Sequence, residues 1–296
     1  MFSKSSWLHL RIPFSFFLMP VYFFALAISP NLTESRLLWS FLIIHLFLYP
    51  ASNGYNSYFD KDTGSIGGLK NPPPVNKGLY YLSLLFDAIA IVLGYWKIGV
   101  LFALMLFLYG LVSKAYSHPS VRLKKYPIIG WLTVGLFQGF FTFMMSYAGI
   151  NQFELENLMQ TKVLVPALLS TVLLLGSYPM TQIYQHEEDA EHGDYTFSRM
   201  LGVAGTFWFV LIVFSMASGG FVWYFISFQE GKYAVQFLLA MLPVVLFFLA
   251  WFWKARHDER VVTHGYTMWL NFISALCLNA FFIAFWLQVS QVWQTF

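Results

Sequence analysis

The chain has 296 residues, of which 58% are apolar and only 10% charged, with a mean hydropathy of +0.61. A soluble domain carries about 25% charged residues, so the composition excludes a self-solvating globule and points to an integral membrane protein. The net charge of +3, from 17 basic and 14 acidic residues spread along the chain, argues against nucleic acid as a partner, and the single Cys277 excludes an intrachain disulfide or a thiolate metal site.

A hydrocarbon core about 30 Å thick takes roughly 20 apolar helical residues. Stretches lacking Asp, Glu, Lys and Arg run over 12–33, 37–59, 98–113, 126–153, 163–186, 200–229, 233–253 and 261–296, and 78–96 is interrupted only by Asp87. Their length and their lack of period-two alternation predict nine transmembrane helices in an all-α, polytopic, single-domain membrane protein. The first stretch follows Lys4 and Arg11 and reads as a retained span, because everything after it is equally apolar. With the amino terminus in the cytoplasm, 13 basic residues fall inside and only Arg36, Lys97, Lys162 and Lys232 outside. This sorting predicts a multi-pass protein of the cell (inner) membrane with its amino terminus cytoplasmic. Nine of the 14 acidic residues share that side, seven of them in two loops.

Those two loops superpose when the numbering is shifted by 129. Tyr49, Pro50, Asn53, Tyr55, Asn56, Asp60, Asp62 and Gly64 fall on Tyr178, Pro179, Gln182, Tyr184, Gln185, Asp189, Glu191 and Gly193. The match predicts two pseudo-repeated helical halves around a central cavity opening to the cytoplasmic side; two unrelated helix ends with similar caps are the simpler alternative. Residues at i, i+3 and i+7 line one helical face, so Asn53, Asn56 and Asp60 form one polar stripe. Gln182, Gln185 and Asp189 form another at the end of the sixth span, with Glu188 beside it. Amides and carboxylates at membrane depth face a cavity or each other, although amides also serve simply to join helices. Mixed Asn, Gln, Asp and Glu oxygens suit magnesium, which is usually held by one or two carboxylates together with substrate phosphates.

Between the fourth and fifth spans, Arg122, Lys124 and Lys125 lie on the same membrane face as the acidic helix ends. They set topology, touch anionic lipid, or neutralise a diphosphate. Asp87, in the middle of the third span, needs a partner or a cavity. It is a candidate for the pocket, for handling a proton of an acceptor, or for a buried hydrogen bond to a neighbouring helix.

Three segments together resemble the UbiA superfamily of membrane prenyltransferases, over essentially the whole chain. They are Asn56-Ser-Tyr-Phe-Asp60, Gln185-His-Glu-Glu-Asp189, and Tyr116-Ser-His-Pro-Ser-Val-Arg-Leu-Lys124, with Lys70-Asn-Pro72 similar to the basic, proline-containing segment that follows the first motif. Ser57, Gly64 and Gln185 stand where the family usually has acidic residues. The resemblance implies transfer of a polyprenyl group from its diphosphate, with Mg2+, to a lipophilic acceptor. It gives Asp60, Asp189 and Asn56 the catalytic and metal roles, with Gln185 and Glu188 as further ligands. Arg122, Lys124, Lys70, Tyr116 and Ser117 would bind the diphosphate, and Asn53, Tyr55, Gln182, Tyr184 and Asp87 would border the pocket. A terpene cyclase or hydratase of the same family, and a non-catalytic lipid-binding or transport relative, are the alternatives. Nothing in the motifs selects the acceptor or the oligomeric state.

Overall fold

A computed structural model describes residues 3–290. Among them, nine helices are long and apolar enough to cross a membrane: Lys4–Ala27, Glu34–Asp60, Lys77–Lys97, Val100–Ser117, Pro127–Asn151, Thr161–Thr181, Phe197–Phe228, Gly231–Ala255 and His264–Val289. They are called the first to ninth helices below. The final stretch 291–296 of the expected last span lies outside the described residues. No strand occurs among the described residues, only an isolated bridge between Ile66 and Leu69. The architecture is thus the all-α, nine-helix one that the apolar stretches imply.

Four interruptions of the helices shape the region of the motifs: at Arg11, over Ile43–Leu48, over Gly135–Phe141 and at Pro179. The first helix starts at Lys4, earlier than its apolar stretch, because Ser3 caps it by accepting a hydrogen bond from the Ser6 amide. It then breaks at Arg11, whose φ is 47°, and resumes as a 3-10 segment with Pro13 in its first turn. In the second helix, Ile43–Leu48 is a π-helical segment just ahead of Pro50, and the Tyr49 amide bonds back to the Ile44 carbonyl. The wider turn takes up the amide that Pro50 lacks, and the helix continues to Asp60. Asn53, Asn56 and Asp60 therefore do share a helical face.

The sixth helix behaves differently, which corrects the expected second stripe. Pro179 ends the α-helical register in a 3-10 turn over Tyr178–Thr181, and the chain restarts as a helix only at His186–Glu191. A proline cannot bond to the carbonyl four residues back, and here the Leu175 carbonyl is taken by the Trp131 indole N–H at 2.8 Å. Gln182 and Gln185 consequently lie on a turn, and only Asp189 is helical. The neighbouring fifth helix carries a π-helical segment over Gly135–Phe141. At Gly139 it meets the sixth helix backbone to backbone: a Cβ there would stand 2.5 Å from the Thr171 Cα. Such close approach through a small residue is how helices pack where no hydrophobic force separates them from lipid.

Elsewhere the core is rich in aromatic rings. Phe24 of the first helix stacks on Phe282 of the ninth at 4.6 Å and meets Phe221 of the seventh at 5.5 Å. These rings tie the first helix to the carboxyl-terminal ones and leave the polar ends of the second, fourth and sixth helices to face one another.

Candidate active site

A cavity of about 220 Å3 opens among the first, second, fourth, fifth, sixth and ninth helices and the segments that follow the second and sixth. Its polar end is lined by Asn53, Asn56 and Asp60 of the second helix, Asp62 just beyond, and Gln182, Tyr184, Gln185 and Asp189 from the other motif. Tyr116, Ser117 and Lys124 close the same end, while Tyr109, Val134 and Phe137 form its less polar wall. The two motifs, more than a hundred residues apart in sequence, thus border one space.

Hydrogen bonds hold the lining in place. The Asn56 amide donates to Asp60 Oδ2 at 2.7 Å and to Ser117 Oγ at 3.0 Å, joining the second and fourth helices. Tyr116 and Tyr178 share a hydroxyl contact, and Gln182 donates to Tyr178 at 3.2 Å. Gln185 donates to the Ser65 carbonyl at 3.3 Å, fastening the second motif to the loop that follows the first. Asp189 accepts from the Thr196 hydroxyl at 3.0 Å.

Charges divide into two groups. In the first, Lys124 lies 2.7 Å from Asp60 and 3.0 Å from Asp194, while Arg122 forks onto Asp194 at 2.7 and 2.9 Å and approaches Asp60 at 3.6 Å. Burial works to raise the Asp194 carboxyl, but the Arg122 hydrogen bond and the Lys124 charge outweigh it and hold the group below the ordinary carboxylate value. Burial likewise works against the Lys124 ammonium, and the Asp60 and Asp194 charges overcome it and raise its pKa. The second group is Asp62 and Asp189, neither of which has a Lys or Arg within salt-bridge distance among the described residues. Burial, then the neighbouring Asp60 charge, pushes Asp62 up to about 6. Burial pushes Asp189 up to about 6 despite the Thr196 hydrogen bond.

Several expected site residues sit elsewhere. Lys70 is exposed and is not part of the lining. Tyr55 is buried among Phe59 and Tyr80, outside the lining, because its position on the second helix faces the third. Arg122 stands behind the cavity wall, engaged by Asp194. Asp87 is not in the pocket either: it pairs with Lys114 of the fourth helix, which satisfies the midspan carboxylate locally. Glu188 is half-buried outside the lining and accepts from the Thr63 and Gly64 amides at 3.0 and 2.9 Å. A Cβ on Gly64 would stand 2.6 Å from Glu188 Oε2. The glycine that replaces an acidic residue in the first motif therefore leaves room for a carboxylate from the second.

Two participants escaped the motif reading. Asp194 joins Arg122 and Lys124 into one unit, and its only sequence signal is an acid following Gly193, five residues after Asp189. Arg11 lines the cavity from the first helix, donating to the carbonyls of Gly67 at 3.0 Å and Asn53 at 3.3 Å. Its signal is a basic residue at the edge of an apolar span, which ordinarily marks topology alone.

Among the described residues, no three His, Cys, Asp or Glu side chains converge on a closed metal site. The donor set still fits magnesium, because that ion takes oxygen ligands and relies on one or two carboxylates plus substrate phosphates. Asp62, whose nearest basic group is the His192 ring at 3.8 Å, and Asp189 are desolvated on the cavity wall without a Lys or Arg in salt-bridge contact, and are the carboxylates whose charge a divalent cation would offset.

A model of the UbiA prenyltransferase family matches residues 17–273. The chain belongs to that family. A UbiA homolog from Archaeoglobus fulgidus bound to DMAPP and Mg2+ has a TM-score of 0.68 at 16% identity, covering 98% of this chain and 100% of that one. The same homolog bound to GPP and Mg2+ gives 0.63 at 15%, covering 95% and 99%. A digeranylgeranylglyceryl phosphate synthase structure gives 0.60 at 16%, covering 95% and 97%. At these identities the likeness carries the fold. No curated protein matches this chain. Family membership supports prenyl transfer as the general class of reaction and a multi-pass membrane protein as its setting.

Proposed function

We propose that the chain transfers a polyprenyl group from its diphosphate to a lipophilic acceptor within this cavity. The observation that carries the reading is a pair of buried carboxylates, Asp62 and Asp189, with no Lys or Arg in salt-bridge contact, on the wall of a cavity that also presents Lys124 and a less polar face. Asp189 and Asp62 would hold the magnesium, with Asp60 shared between it and Lys124 and with the Asn56 and Gln185 amide oxygens in reach of the same space. Bound there, the ion supplies a positive charge that stabilises the diphosphate as it leaves. Lys124 adds a cation whose charge is held on by Asp60 and Asp194. Ser117 and Tyr116 offer hydroxyls at the same end. Tyr109 and Phe137 present aromatic faces where an allylic cation would form, and such faces attract positive charge.

The homologs with DMAPP, GPP and Mg2+ bound lend support from the same fold. The test is diphosphate release from purified protein in detergent, with magnesium and a series of prenyl diphosphates. Acceptor-dependent release that disappears in Asp189→Asn supports transfer; release without an acceptor would instead favour a cyclase or hydratase. The positive-inside sorting supports a cytoplasmic opening. In a Cys277→Ser background, a membrane-impermeant maleimide should label Lys232→Cys in intact cells and Lys125→Cys only after permeabilisation.

A further inference from the structure

Of the cations expected to meet a diphosphate, Arg122 is engaged by Asp194, Lys124 bridges Asp60 and Asp194, and Lys70 is exposed outside the cavity. Arg11 differs from all three. Its guanidinium lines the cavity, its hydrogen-bond partners are two neutral carbonyls, and its Nε is buried without a partner. Among the described residues, no carboxylate lies within salt-bridge distance of it. Its positive charge therefore reaches the cavity unpaired, beside two carboxylates that magnesium would neutralise.

The backbone strengthens the case. Arg11 has φ 47°, a left-handed conformation that side-chain-bearing residues rarely adopt. Strain of this kind is retained where the surrounding structure needs that residue. Arg122 at φ 44° shares it, as do the helix-capping Lys61 and Gln152, so the conformation fixes where the Arg11 side chain starts and the cavity contacts carry the assignment. The two carbonyls also aim Arg11: Gly67, on the loop after the first motif, packs so closely on Phe14 that a Cβ there would stand 2.7 Å from the ring. That approach is what brings the Gly67 carbonyl to the guanidinium.

We infer that Arg11 contacts the donor's diphosphate, its guanidinium taking phosphate oxygens by charge-assisted hydrogen bonds while Gly67 and Asn53 hold it in register. The identity of the anion rests on the prenyl-transfer reading above; the existence of an anion site does not. The test compares the parent with Arg11→Asn, since asparagine tolerates left-handed backbone, and with Arg11→Lys, which keeps the charge and loses the fork. Binding of inorganic pyrophosphate with magnesium is measured by calorimetry, and donor KM and kcat by diphosphate release. Loss of a charge-assisted contact predicts pyrophosphate affinity lower by about tenfold or more in Arg11→Asn, with a smaller loss in Arg11→Lys and donor KM rising more than kcat falls. Affinity within about twofold of the parent in folded Arg11→Asn, or in Arg11→Gln where the asparagine variant does not fold, overturns the assignment. If the parent releases diphosphate from no donor while pyrophosphate binding still depends on Arg11, prenyl transfer falls and the anion site stands.

Discussion

Replacing Asp194 by asparagine tests the charge arrangement behind the cavity. Asp194 is 1% exposed and accepts the Arg122 fork at 2.7 and 2.9 Å and the Lys124 ammonium at 3.0 Å. With Asp60 it balances two cations by two carboxylates. The substituted amide keeps one oxygen for Arg122, loses the second, and turns an N–H2 group toward a cation, leaving two positive charges against Asp60 alone. Removing one partner of a buried pair costs about 3–5 kcal/mol. Because the Arg122 and Lys124 side chains are 17% and 12% exposed, solvent relieves part of this, and the lower end, about 3 kcal/mol, is expected. At roughly 2–4 °C per kcal/mol for chains of about this size, Asp194→Asn should melt about 6–12 °C below the parent in detergent at pH 7.5. Arg122→Gln should destabilise as well, and the double variant should lose much less than the sum, since each single change strands the other group. A melting point within about 1 °C of the parent, or strictly additive losses, would refute the paired arrangement.

Two other outcomes follow from the same geometry. The folded chain keeps protons on Asp62 and Asp189 up to about pH 6, whereas the unfolded chain releases them near the ordinary 3.8; stability without magnesium should therefore fall as pH rises from about 4 to about 6 and level off above. The span corresponds to about 3 kcal/mol per carboxyl, Asp62→Asn should flatten its share, and a melting point that rises through this window would contradict it. Gly64→Asp should drive a side chain into Glu188 and lower the melting point, while adding Glu188→Ala to it should recover most of the loss; no recovery would mean that Glu188 does not occupy the space a side chain at 64 needs.

The number of crossings was legible along the chain because a bilayer demands unbroken apolar helix, and nothing but the order of residues enters that requirement. The first polar stripe was legible too, since Asn53, Asn56 and Asp60 lie on continuous helix and periodicity there is geometry. The second was not. Pro179 ends the helix because the Leu175 carbonyl has found Trp131 on another helix, whereas Pro50, one motif earlier, is absorbed by a π-helical segment. The same dipeptide therefore gives two backbones, and tertiary partners choose between them. Charge pairing shows the same limit. A sequence lists Arg11, Lys70, Asp87, Arg122, Glu188 and Asp194 without saying which charges cancel. Only packing decided that Lys114 quiets Asp87, that Asp194 claims Arg122, and that Arg11 is left facing the cavity, because electrostatic partnership depends on distance in space, which the order of residues does not carry.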